Sequence, residues 1–146
     1  MIREADKSDI RQIQCVRNSV TENILSDPGK ITDDMCEDYI LRRGKGWVYE
    51  VDEKIIGFAI VDLQESNIWA LFVDPSFESK GCGSALQKQM LYWYFEQNKK
   101  FVWLSTSPNT RAAKYYHMQG WGKTETLQNG ELKYEKSAST WLQLQK

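Results

Sequence analysis

The chain is poor in the residues from which metal sites and disulfide frameworks are built. It has one histidine, His117, and three cysteines, Cys15, Cys36 and Cys82, odd in number, widely spaced and without a C-x-x-C pair. No metal site and no disulfide framework are expected, and a reducing, cytoplasmic setting fits best. No apolar run approaches membrane-spanning length, and the N-terminus is charged from Arg3, so no leader and no membrane partner are expected. An excess of either charge is missing as well. Nineteen basic and twenty acidic side chains leave a formal net charge of −1. With no basic run to neutralise phosphates, nucleic acid is not expected as a partner. What is present is apolar and aromatic: 41% hydrophobic and 12% aromatic residues exclude disorder, and 146 residues bury a core without metal or disulfide.

The run from Val73 to Leu86 organises the rest: an apolar segment, a polar loop with Gly81 and Gly83, then an amphipathic segment. Such a turn exposes backbone amides at a helix start and so forms an anion site, or it is a bare strand-to-helix connection. The Gly-x-x-x-x-Gly-Lys-Ser/Thr pattern is absent, and Leu86 replaces the third glycine of Gly-x-Gly-x-x-Gly, which disfavours a nucleotide fold.

Ile2 to Glu4 reads as a strand, and the apolar positions Ile10, Ile13, Val16, Val20 and Ile24 predict a helix capped by Ser8 or Asp9. Thr32 caps a second helix that carries Met35, Tyr39 and Ile40 and closes at Arg42-Arg43-Gly44. Trp47 to Glu50, Ile55 to Leu63 and Asn67 to Val73 form a strand meander. Ser84 to about Gln97 is a helix, Phe101 to Ser105 a central strand covered on both faces, and Thr110 to Gln119 a helix ended by Gly120. Trp121 to Leu127 and Leu132 to Ser137 flank Asn129-Gly130, a strong hairpin signal. The expected architecture is one α/β (α+β) domain over residues 1–137, followed by a C-terminal tail, 138–146, to which no element is assigned.

This order of elements, with two motifs, resembles the GNAT family of acetyl-CoA-dependent N-acetyltransferases. The first motif stands here as Val73, Pro75, Glu78, Gly81 and Gly83; the second as Asn109, Ala112, Tyr116, Gly120 and Trp121. The resemblance implies a mixed, mostly antiparallel central sheet flanked by helices, with splayed strands that form the acetyl-CoA cleft. It implies that Ser79, Lys80, Gly81, Cys82, Gly83 and Ser84 surround the coenzyme pyrophosphate, and that the backbones of Leu71, Phe72 and Val73 pair with the pantetheine arm. Asn109 matches a position near that arm, or caps the helix after Pro108. Glu78 departs from the family's usual Arg or Gln and puts a carboxylate near the pyrophosphate, unless it points away or pairs with Lys80.

Tyr116 matches the tyrosine that protonates the departing thiolate, while the adjacent Tyr115 reads as packing. For the general base, the two positions used by relatives hold Leu104 and Asn67, and Glu65 is the nearest carboxylate, otherwise an exposed turn residue. Cys82 and His117 as a nucleophile and base are set aside, because the middle residue of Gly-x-Gly packs beneath its loop. The implied activity is acetyl transfer to a primary amine of a small molecule or a protein by direct attack in a ternary complex. The alternative is a non-catalytic acyl-CoA-binding or regulatory module of the same fold. The acceptor side falls on Val20 to Ile40 and Trp121 to Leu132, where Glu22, Asp27, Asp33 and Asp34 either attract a cationic amine or act as helix-end charges. Monomer and homodimer stay equally open.

Overall fold

In the computed structural model, which describes residues 1–20, 23 and 28–144, the β-branched and aromatic runs become strands. These are β1 (Ile2–Glu4), β2 (Gly44–Val51), β3 (Lys54–Asp62), β4 (Asn67–Val73), β5 (Phe101–Thr106), β6 (Gly122–Thr126) and β7 (Leu132–Ser137). They form one seven-stranded sheet in the order β1-β2-β3-β4-β5-β7-β6. Neighbours are antiparallel except β4 and β5, which run parallel. The helices are α1 (Ile10–Ser19), α2 (Asp33–Asp38), α3 (Cys82–Phe95), α4 (Arg111–Met118) and α5 (Ala138–Leu144).

Each face of the sheet has its own core. On one, Ile10, Ile13 and Val16 of α1 and Cys36 of α2 pack on Phe58 and Ile60. On the other, Leu86, Met90, Leu91 and Tyr94 of α3 pack on Ala59, Val61 and Val102. Fully burying each of these aliphatic side chains contributes roughly 1.5–3 kcal/mol. Covered from both sides, β3 is buried without a break from Ile55 to Asp62, whereas β5 is not. β5 alternates buried Val102, Leu104 and Thr106 with half-buried Trp103 and Ser105, because α1 and α2 lie over β3 and β4 and stop short of it.

Local chemistry moves several predicted boundaries. Asp6, rather than Ser8 or Asp9, starts the first helical segment through a capping box. Its carboxylate accepts from Ser8 N at 2.8 Å, and Asp9 accepts from Asp6 N at 2.9 Å. Arg3 donates from its two terminal guanidinium nitrogens to Asp9, at 2.8 Å each, and this pairing holds the Asp9 carboxyl below the usual carboxylate range. α1 ends at Ser19 with Val20 extended; Ile24 lies outside the described residues. Thr32 caps α2 as predicted, accepting from Met35 N at 3.1 Å. Arg42-Arg43-Gly44 does not close that helix. The chain passes into a π-helical turn, Tyr39–Arg43, and Gly44 already belongs to β2, so close to its neighbour that a Cβ would fall 1.8 Å from the Val61 carbonyl oxygen. Residues 138–144, assigned no element from the sequence, form α5, whose Trp141 (6% exposed) joins the α3 core.

The site is set up by β4. Opposite Ile60 and Val61 stand Ala70 and Ile68, so Trp69 is the extra residue of a bulge. The bulge sends Ile68 and Ala70 into opposite cores and lets Trp69 stack on Tyr39, ring centroids 4.0 Å apart. β4 then meets β5 through a single rung, Asn67 opposite Trp103. Trp103 N donates to the Ser66 carbonyl (2.9 Å), Asn67 Nδ2 to the Trp103 carbonyl (3.1 Å) and Trp103 Nε1 to the Glu65 carbonyl (2.9 Å). Past this corner the strands separate, and the predicted splay opens alongside Leu71, Phe72 and Val73.

Candidate active site

Two cavities of about 390 Å³ each occupy the splay and meet over Leu71 and Phe72, with Ala112 and Tyr116 of α4 common to both. The outer one lies against the loop between β4 and α3. There the chain makes a one-turn helix at Pro75–Phe77, and Gly81 turns it at φ 82°, a backbone region that L side chains enter at a cost of roughly 1–2 kcal/mol. The first intrahelical bond runs from Ala85 N to the Gly81 carbonyl at 3.0 Å. The amides of Cys82, Gly83 and Ser84 thus have no helical acceptor, and the helix dipole stands behind them. These residues, Ser79 and Gly81 all line the outer cavity, as do Leu71, Phe72 and Val73.

Lys80 is not brought in. It is exposed, with its Nζ 5.6 Å from the centre of the Phe77 ring. Glu78 pairs not with Lys80 but with Arg111, whose Nη1 lies 2.6 Å from its Oε2; Nη2 of the same guanidinium donates to Ser79 Oγ. One arginine from the start of α4 therefore clasps the loop and neutralises its carboxylate. Tyr115, predicted as packing, also reaches the loop: its ring lies against the core, and its hydroxyl is 2.7 Å from Ser84 Oγ.

Asn109 sits outside both cavities, exposed, at φ 60°. It does not cap α4, because its left-handed backbone turns the chain before the cap. Thr110 is the cap, accepting from Ala113 N at 3.1 Å. Tyr116 is 6% exposed and packs edge-on to Tyr115 and Trp121. Burial, with a smaller contribution from Tyr115, holds its phenol well above the ordinary tyrosine range, so it keeps its proton at neutral pH. No hydrogen bond to its hydroxyl forms among the described residues.

The inner cavity is walled by α1, α2, β4, β5 and the β6–β7 turn. Glu65 does not line it: the side chain is exposed in the β3–β4 turn, and its main-chain carbonyl accepts from Trp103 Nε1. The turn residue Ser66, at φ 55°, and the β4 bulge at Trp69 lie between it and Leu71, where the two cavities meet. The one carboxylate among the described lining residues is Glu131, whose Oε1 accepts from Ser105 Oγ (3.2 Å) and Asn129 Nδ2 (3.0 Å). Asp33 and Asp34 do not line the cavity, and Glu22 and Asp27 lie outside the described residues. Burial pushes the Cys36 thiol up to about 11, with Asp33 adding to the effect, so the cysteine on this wall is inert. Arg17 of α1 also lines the cavity, with Cζ 4.1 Å from the centre of the Phe72 ring. The sequence gives little to single out Arg17, Glu131 or Arg111. Only the last stands inside a motif, two residues after Asn109.

None of the described helices is long and apolar enough to cross a membrane. No curated protein sequence matches the chain significantly. Among solved structures, the fold is similar to the PaiA N-acetyltransferase of Thermoplasma acidophilum in complex with coenzyme A, at 15% identity, TM-score 0.82, covering 94% of this chain and 98% of that one. It is similar also to the ribosomal-protein-S18-alanine N-acetyltransferase of Escherichia coli (15% identity, TM-score 0.76, 94% and 92% covered). A third likeness is to Ard1 of Thermoplasma volcanium (21% identity, TM-score 0.76, 94% and 96% covered). The model of the acetyltransferase (GNAT) family matches residues 10–121, the span from α1 through the outer loop to Trp121, and the chain belongs to the GNAT family of acetyltransferases.

Proposed function

We propose that this enzyme transfers the acetyl group of acetyl-CoA to a primary amine by direct attack within a ternary complex. The observation that carries the reading is the meeting of the two cavities at Leu71, Phe72 and Tyr116. A donor arriving from the outer side and an amine arriving from the inner side come together beside one buried, protonated phenol.

The residues of the outer cavity suit the donor. The amides of Cys82, Gly83 and Ser84 point a helix N-terminus at a pyrophosphate, and Gly81 presents no side chain there. The edge of β4 that faces β5 is left without strand pairing beyond Asn67, so the backbones of Leu71 to Val73 are available to the amide groups of a pantetheine arm. When bound, acetyl-CoA supplies a thioester carbonyl that a neutral amine attacks, forming a C–N bond as the C–S bond breaks. A β4 backbone amide polarises the carbonyl oxygen. Tyr116 gives its Oη proton to the departing sulfur and is reprotonated by the second proton that the nitrogen sheds as it becomes an amide. Glu131 replaces Glu65 as the base of this reading, taking a proton from the incoming ammonium directly or through water.

The test mixes the protein with acetyl-CoA and a panel of amines and follows thiol release. Turnover of at least one amine, with Tyr116→Phe lowering kcat while acetyl-CoA binding persists, is the expected result. Absence of turnover for every amine, or a Tyr116→Phe variant as active as the parent, refutes the reading.

A further inference from the structure

The inner cavity carries more information about the acceptor than its family does. Its described charged lining residues are Arg17, Lys30 and Glu131. Two cations against one carboxylate among the described lining residues do not favour a simple polyamine or alkylamine.

Arg17 is the unusual one. Its guanidinium lies over Phe72, Cζ 4.1 Å from the ring centre, a cation–π contact that holds it against the cavity wall. Its Nη1 is fully enclosed and has no hydrogen-bond partner among the described residues. A charged donor so enclosed and left unpaired carries a desolvation cost on the order of several kcal/mol, which an anion held on the other nitrogens of the same fork would offset. Burial draws its pKa down, and the charge of Glu131 opposes that shift. Arg17 and Glu131 therefore feel one another across the cavity, yet no ion pair joins them among the described residues. Both side chains line the same space of about 390 Å³.

We infer that the acceptor is a small zwitterion, one molecule that carries both the reactive primary amine and a carboxylate, as a free amino acid does. Its carboxylate lies on the planar fork of Arg17, with Lys30 adding positive potential, and its ammonium lies toward Glu131. A guanidinium takes a carboxylate bidentately, which orients as well as attracts. Glu131 then holds the ammonium by charge and accepts its proton, which delivers the neutral nitrogen toward Leu71 and Tyr116. A peptide N-terminus fits poorly, because its α-carboxylate is spent in the peptide bond.

This inference rests on the acetyltransferase reading, and the experiment separates the two. Matched sets are compared: alanine, β-alanine and lysine against alaninamide, ethylamine and cadaverine. In parallel, calorimetry with the protein saturated in coenzyme A measures binding of each compound without turnover. The expected result is a preference of tenfold or more in kcat/KM and in Kd for the carboxylate-bearing member of at least one pair. Arg17→Gln erases that preference and Arg17→Lys restores part of it. Should Arg17→Gln fail to fold, the parent's pairwise ratios decide alone. Equal or better use of the amines without a carboxylate overturns the inference while leaving the acetyltransferase reading intact. Carboxylate-dependent binding without turnover of any amine sinks the acetyltransferase reading and with it the acceptor role, leaving the cavity a zwitterion-binding site. Carboxylate-independent binding, or none in either set, overturns the inference.

Discussion

Arg111→Ala tests whether the clasp on the outer loop serves the coenzyme. In the parent the guanidinium lies 2.6 Å from Glu78 and also holds Ser79, so the loop presents little net charge to a pyrophosphate. Removing it uncovers the Glu78 carboxylate at an exposed rim. With an effective dielectric between about 40 and 80 and a separation of about 8 Å, one pair of like unit charges repels by roughly 0.5–1 kcal/mol. A pyrophosphate with about two negative charges doubles that, giving about 5- to 30-fold weaker binding at low salt. Screening over a Debye length of about 8 Å at physiological ionic strength reduces the loss to roughly 2- to 4-fold. Global stability changes by less than about 1 kcal/mol, because Arg111 is 60% and Glu78 36% exposed. Calorimetric titration with acetyl-CoA at two salt concentrations measures the effect. Adding Glu78→Gln to the variant returns most of the affinity. An Arg111→Ala variant with unchanged affinity at low salt, or a double variant as weak as the single, refutes the electrostatic account.

Further outcomes follow from packing and charge. Trp141→Ala empties a core position and lowers stability by about 3–5 kcal/mol in urea unfolding; a loss below about 1 kcal/mol means that α5 is a mere appendage. Thr110→Ala removes the α4 cap and costs about 1 kcal/mol, whereas Asn109→Ala does not reproduce that loss of a cap, which circular dichroism melts distinguish. Lys136 is 3% exposed, donates to the Gln119 carbonyl at 3.0 Å and is drawn down by burial to about 8, against an ordinary 10.5. Below pH 8 both folded and unfolded chains carry this proton and the fold bears the cost of the buried ammonium. Between 8 and 10.5 only the unfolded chain binds it, so stability rises with pH, by about 3 kcal/mol across the window. Lys136→Met flattens that rise in denaturant titrations at pH 7.5 and 9.5; identical slopes for parent and variant contradict the assignment.

The strands, the loop and Tyr116 are legible in the chain because each rests on local chemistry. β-branched runs specify strands, Asn129-Gly130 specifies a hairpin, and Gly81 marks a left-handed turn. The motif spacing then places Tyr116 beside that loop. What escapes is whatever tertiary contact decides. Glu78 has one cation within reach in sequence, Lys80, and only the docking of α4 on the loop brings up Arg111 instead. Glu65 is near β4 in sequence yet lies at its far end, while Glu131, sixty-six positions later, reaches the cavity because β7 pairs with β5. Arg17 follows Val16 on a helix read for its apolar stripe, and nothing in that periodicity says that its polar border overhangs a cavity. Asp6 is hidden as a cap because Ser8 and Asp9 lie nearer to the first apolar position, Ile10.

The single rung between β4 and β5 divides the sheet into two plates, β1 to β4 and β5 with its hairpin, joined at one corner around Ser66, Asn67 and Trp103. Backbone hydrogen bonds lock each plate internally, but across the seam the chain relies on that corner, on the side chains of α3 and α4, and on Asn23, which donates to Thr106 Oγ1 (3.0 Å) and accepts from Ser107 N (2.9 Å). A ligand lying in the seam supplies the missing rungs, and in amide hydrogen exchange the two plates then open as one unit where the empty protein opens as two.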